Sequence, residues 1–181
     1  MRLLTKIALG LAAYEGAHAF ARFADRRSTF AAAQQRAKEL DLPLVVVGDP
    51  DAGLHTRLWR AYDCGDLCID LNSCPACSKT IGLDLTKESI PVATGGAVVF
   101  ESCVLEYVDD LPAAWAELKR VAGGNENLFT VRVSPWSFTS RLFAGAKWVL
   151  EEAPAGSGQR FLARRISDDP RSGAAFLGLP A

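Results

Sequence analysis

The chain has 181 residues, is 49% hydrophobic and 23% charged, and carries a formal net charge of −1. That is enough apolar material for one domain with its own core, and it excludes wholesale disorder. The near-balanced charge gives no strong nucleic-acid signal.

Residues 1–23 combine Arg2 and Lys6 with an apolar run from Ile7 to Tyr14 and the small-x-small triplet Ala17-His18-Ala19. Three readings follow: a helix packing on the domain, a helix lying on or anchoring to a membrane surface, and a secretory signal. A membrane span is disfavoured. Spanning takes about 20 apolar residues, and Lys6, Glu15, His18 and Arg22 interrupt this stretch. Asp25-Arg26-Arg27 is expected to break the pattern, with a new helix starting at Ser28 as its cap. Phe30, Ala33, Ala37 and Leu40 then fall on one face. Asp41-Leu42-Pro43 stops that helix, because the residue before proline disfavours helical backbone.

Leu44-Val45-Val46-Val47 lacks polar alternation, the pattern of a strand buried on both faces. It runs into the turn Gly48-Asp49-Pro50-Asp51-Ala52-Gly53, and residues 54–62 are expected to form a helix with Leu54, Leu58, Ala61 and Tyr62 at helical spacing. Open α/β sheets bind ligands at the carboxyl ends of such strands. Asp66-Leu67-Cys68-Ile69-Asp70 reads as a second strand ending in a carboxylate, which can accept hydrogen bonds from ribose hydroxyls or cap a turn. Cys64, Cys68, Cys74 and Cys77 follow a C-x3-C-x5-C-x2-C spacing. Cys74-Pro75-Ala76-Cys77 has the form of half a zinc site. A Cys74–Cys77 disulfide and unlinked thiols are the other readings. The last is preferred, so no metal ligand is assigned. Cys103 stands apart.

Ile81-Gly82-Leu83-Asp84-Leu85 is a third apolar patch, and Ala97-Val98-Val99-Phe100 a further doubly buried strand that ends at Glu101-Ser102-Cys103. Asp110 and Pro112 open a helix with Leu111, Ala114, Trp115, Leu118 and Val121 on its apolar face. Lys119 and Arg120 suit its C-terminal dipole, and Gly123-Gly124 ends it. Residues 127–133 are the next strand. Lys147 to Glu152 and Gln159 to Ile166 are two more, joined by Pro154-Ala155-Gly156-Ser157-Gly158.

Asp84-Leu85, Ile90-Pro91, Val98-Val99-Phe100, Leu105-Glu106-Tyr107-Val108 and then Leu118-Lys119-Arg120-Val121-Ala122-Gly123-Gly124 resemble the second half of a class I S-adenosylmethionine-dependent methyltransferase. The likeness covers roughly residues 42–133 and, more loosely, 148–166. It implies a Rossmann-like, doubly wound, mostly parallel α/β sheet with helices on both faces and an antiparallel C-terminal hairpin. With the residue readings of the two ends, the chain divides into an N-terminal helix, membrane-associated in one reading, over 1–27, a methyltransferase-like domain over 28–166 and a Gly- and Pro-containing tail over 167–181. The likeness also implies S-adenosylmethionine as cofactor and methyl transfer to an unidentified acceptor, in the cytoplasm or at the cytoplasmic face of a membrane. Carried over residue by residue, Gly48, Asp49 and Gly53 would line the methionine end and Asp70 would hold the ribose. Asp84 and Leu85 would flank the adenine, and Glu101 and Ser102 would face the cofactor. The family's first loop is glycine-rich, whereas this chain has Pro50 and Ala52 in it.

Methyl transfer from a sulfonium rests on positioning the acceptor and excluding water more than on acid–base help. No catalytic residue is therefore assigned. His55 is either a base or, preferred, a helix-surface residue, and Trp136 and Phe138, after the fifth strand, either form an apolar substrate wall or, preferred, pack. No Asp-Pro-Pro-Tyr-type motif follows the fourth strand, which disfavours methylation of base amino groups. There is no P-loop and no Gly-x-Ser-x-Gly elbow. The alternative is a non-catalytic module of the same fold, tethered through its N-terminal helix. A dinucleotide-dependent reductase ranks behind both, since its glycine spacing is also missing.

Overall fold

The structure, a computed structural model, describes residues 2–52, 59–131, 147–152 and 161–166. Helix α1 (Arg2–Leu40) precedes strands β1 (Leu44–Val47), β2 (Leu67–Asp70), β3 (Thr80–Gly82) and β4 (Val98–Ser102). Helix α2 (Leu111–Ala122), a short 3-10 turn at Asn125–Asn127 and β5 (Leu128–Val131) follow, then β6 (Lys147–Glu152) and β7 (Phe161–Ile166). The first five strands form one sheet in the order β3-β2-β1-β4-β5. Every pairing in it is parallel, for example Val46 against Cys68 on one side and against Phe100 on the other.

The unbroken apolar runs explain this sheet. Leu44, Val46, Val98 and Phe100 pack with Phe30, Ala33 and Ala37 of α1 on one face. Val45, Val47 and Val99 pack with Leu111, Trp115 and Leu118 of α2 on the other. A strand covered on both faces has no use for polar alternation. The buried face of α2 consists of Leu111, Ala114, Trp115, Leu118 and Val121, as its helical spacing foretold, together with Ala122. Asp110 Oδ1 caps it by accepting from Ala113 N at 3.0 Å. Gly123, at φ 70°, ends it in the left-handed conformation that glycine adopts without penalty.

Three expectations are corrected. First, the break at Asp25-Arg26-Arg27 is absent, and α1 runs through it unbroken. Ser28 caps nothing; its hydroxyl donates back to the Asp25 carbonyl, a bond that leaves the helix intact. Arg26 is a packing residue, four positions before Phe30 on the same face. The end of α1 is where the sequence put it. Asp41 at φ 51° and the bonds from Leu42 N to Ala37 O and Asp41 N to Lys38 O make a Schellman cap. Second, Trp59 to Tyr62 are not helical. The rest of that expected helix, with Gly53 and His55, lies outside the described residues. Third, β6 and β7 pair antiparallel with each other as a two-stranded sheet of their own, and not with the five-stranded sheet. Trp136, Phe138 and residues 167–181 also fall outside the described residues.

The link from β2 to β3 is residues 71–79, with no helix in it, and the two strands are nevertheless parallel. Cys68, Cys74 and Cys77 sit in the same apolar cluster as Phe30 and Tyr62. Among the described residues no helix is long and apolar enough to cross a membrane.

Candidate functional site

The order β3-β2-β1-β4-β5 reverses the direction in which strands are added between β1 and β4, so the carboxyl ends of those strands define the natural ligand edge. Gly48 leaves β1 at φ 107°, and its N–H bonds the Ile69 carbonyl at 2.8 Å. A Cβ there would lie 2.8 Å from the Ser102 carbonyl oxygen, so glycine lets the two strand ends abut.

Asp49 and Asp70 meet beside it. Asp70 Oδ2 accepts from Asp49 N at 3.1 Å, and Asp70 Oδ1 from Asn72 N at 3.2 Å. Asp70 is only half-buried, so a lone pair on each oxygen remains for a ligand. Asp49 Oδ1 accepts from Asp51 N, and the Asp49 carbonyl accepts from the Tyr62 hydroxyl. Burial pushes the Asp49 carboxyl above its ordinary range, and the nearby charges of Asp70 and Asp51 add to this against the backbone N–H of Asp51. Among the described residues Arg60 is an opposing cation, 3.6 Å from Asp51. Burial likewise raises the Tyr62 phenol. The first loop thus presents a concentration of negative charge at the ends of β1 and β2.

The other expected residues serve the fold first. Glu101 is fully buried, and its Oε1 accepts from Val104 N at 2.7 Å and Leu105 N at 3.2 Å, which folds the chain back after β4. Ser102 is buried beside it. Asp84 anchors the turn after β3, bonding Thr86 N, Thr86 Oγ1 and Lys87 Nζ. Those bonds, chiefly the Lys87 one, hold its carboxyl down at about 2. Leu85 is buried in the core next to α2. The structure therefore brings Gly48, Asp49 and Asp70 together at the strand ends, with Gly48 buried and the two acids half-buried, while Glu101, Ser102 and Leu85 are enclosed. A shallow cleft along residues 85–89 and α2 is crossed by Arg120, which bonds the Ile90 and Val92 carbonyls and Glu117.

Two features escaped the sequence reading. Arg26 of α1 reaches the end of β4, where Nη2 lies 3.1 Å from Cys103 Sγ, and Cys103 itself takes a left-handed φ of 58°. Burial raises the Cys103 thiol, with Arg26 acting in the opposite direction. The spacing of Arg26, Phe30, Ala33 and Ala37 carries the signal, once the charged triplet is not taken as a break. The second is the pairing of the cysteines: Cys64 bonds Cys77 and Cys68 bonds Cys74. This corrects both the Cys74–Cys77 pairing and the unlinked thiols. Cys103, which stands apart in the sequence, is not disulfide-bonded.

No protein-family model, no curated protein and no solved structure matches this chain.

Proposed function

We propose that the corner formed by Gly48, Asp49 and Asp70 binds the nucleoside and sulfonium of S-adenosylmethionine, and that the domain transfers its methyl group to an acceptor. The reading takes the sheet as Rossmann-like. The observation that carries it is Asp70, a half-exposed carboxylate at the carboxyl end of the second strand, fixed by Asp49 N beside the first loop. A carboxylate so held can accept from both hydroxyls of a ribose. The charge of the corner adds a second support. Asp49, Asp51 and Asp70 suit a ligand that carries a sulfonium and an ammonium, and a bound cation would act against the burial that raises the Asp49 carboxyl. No general base is needed for a sulfonium donor, so the work of the site is orientation and exclusion of water.

One observation favours a non-catalytic module of the same fold. Glu101, Ser102 and Leu85 are enclosed, so three of the eight residues that would touch a cofactor face the core. Under either reading the first part of α1 is the natural tether. Leu3, Leu4, Ile7, Leu9, Leu11 and Phe20 are all exposed, with Arg2 and Lys6 in the same stretch, a composition suited to the cytoplasmic surface of an anionic membrane.

Amide chemical-shift mapping with S-adenosylhomocysteine tests the site. Shifts centred on Gly48, Asp49, Asp70 and Asn72 are expected. A saturable response that leaves those four amides in place would move the ligand elsewhere and end this reading.

A further inference from the structure

We propose that Cys64, Cys68, Cys74 and Cys77 form a tetrathiolate site for a borderline-soft divalent cation, zinc, when their two disulfides are reduced. The four sulfurs already converge. Those of Cys68, Cys74 and Cys77 lie within 4.8 Å of one another, and Cys64 is bonded to Cys77. Zinc–sulfur bonds of about 2.3 Å in a tetrahedron put the sulfurs about 3.8 Å apart. Small side-chain rotations from the observed positions reach that spacing. The Cα separations of 5.6 Å for Cys64–Cys77 and 6.2 Å for Cys68–Cys74 keep each pair in reach once its bond is opened.

The surroundings fit a closed structural site rather than a catalytic one. Cys68 and Cys74 are fully buried and Cys77 is 8% exposed. All three belong to the apolar cluster beneath α1, which excludes water from a fourth position. The turn Cys74-Pro75-Ala76-Cys77 is closed by Cys77 N donating to Cys74 O at 2.9 Å. Cys74 N donates to Thr80 Oγ1 at 2.6 Å, which ties the turn to β3. Arg60 Nη2 lies 3.5 Å from Cys64 Sγ, a cation placed to favour the thiolate over the thiol. The four ligands come from the approach to β2, from β2 itself and from the β2–β3 link. A metal here would staple the part of the sheet that has lost its crossover helix.

The redox balance is explicit. Each disulfide becomes two thiols by taking up two electrons and two protons from a dithiol, which is oxidised to a disulfide, or two electrons from a phosphine and two protons from water, whose oxygen ends in the phosphine oxide. Binding the cation then releases the thiol protons as zinc–sulfur bonds form. In an oxidising compartment the same residues hold the loop as disulfides, and in a reducing one as metal ligands.

The test is a cobalt titration of the full chain after anaerobic reduction with a phosphine. We expect the visible absorption of tetrahedral thiolate-bound cobalt, saturating at about one metal per chain, bleached by zinc, and lost when diamide re-forms the disulfides. Zinc should also raise the melting temperature of the reduced chain, because it binds the folded state. The Cys103→Ser control should bind as the parent does. The Cys74→Ser/Cys77→Ser variant should take up no cobalt. Should that variant fail to fold, Cys64→Ser, at the least buried ligand, should weaken binding by at least about tenfold and alter the cobalt spectrum. A reduced chain that takes up no cobalt, folded or not, overturns the proposal. So does cobalt uptake that both of these cysteine variants leave unchanged.

Discussion

Several acids in this chain build turns before they do anything else. Glu101 is the clearest case: one carboxylate oxygen receives the two amides that turn the chain after β4, with no exposure to solvent. Glu101→Ala leaves both amides without that acceptor and should cost about 2–4 kcal/mol in denaturant unfolding. Glu101→Gln keeps the acceptor and should cost clearly less. Asp84 makes a separate, pH-dependent prediction. Its carboxyl is held at about 2 against an ordinary 3.8, first by Lys87 and then by Thr86. A folded value below the unfolded one means that the stabilisation is present above the unfolded pKa and is lost as pH falls through the folded one. The Asp84 resonance should therefore titrate at about 2, and Lys87→Ala should move its midpoint upward. A midpoint unchanged by Lys87→Ala would show that Lys87 is not the cause. These roles were not legible in the sequence. A strand-end acid looks the same whether it faces a ribose or its own backbone, and only the direction of the side chain decides.

Elements were legible where the apolar pattern was strong. The stretches 44–47 and 98–100 carry uninterrupted apolar runs and became the sheet's centre, and the period of Leu111, Ala114, Trp115 and Leu118 gave α2 to within its caps. α1 was misread at its middle because a charged triplet interrupts composition without interrupting a helix. Arg26 lies on the packed face and Asp25 and Arg27 away from it, and exposed charges cost a helix little. The two halves of α1 differ energetically. Phe30 makes an edge-on contact with Phe100 at 5.1 Å and meets Tyr62 at 6.0 Å between ring centroids. Phe30→Ala should cost about 3–5 kcal/mol. Removing residues 1–16 takes away mostly exposed side chains and should leave the melting temperature of the domain within error. The same deletion should abolish co-sedimentation with anionic liposomes. Retained co-sedimentation would take the lipid contact away from α1.

At the scale of the whole molecule, the parallel sheet puts the carboxyl ends of β1 and β2 side by side, and with them Gly48, Asp49 and Asp70. The sequence carried the two central strands, because runs without polar alternation imply a sheet covered on both sides, while the strand order that sets these residues side by side is seen only in the structure. The sequence also could not carry the pairing of distant side chains: Arg26 with Cys103, and Cys64 with Cys77. Those depend on how residues far apart in the chain are brought together, and spacing alone leaves several partners open. The corner's electrostatics set the direction of a pH effect. Protonating Asp49, whose pKa is raised by burial, removes negative charge, so binding of a cationic ligand should weaken as pH falls through its titration.

The most direct measurement is calorimetric titration of the full chain with S-adenosylmethionine and with S-adenosylhomocysteine, repeated on Asp70→Asn. The account predicts binding in the micromolar range, about −8 kcal/mol, weakened at least about tenfold in Asp70→Asn while the circular dichroism of the variant matches the parent. No heat from either ligand on a folded chain, or equal affinity in Asp70→Asn, would contradict it.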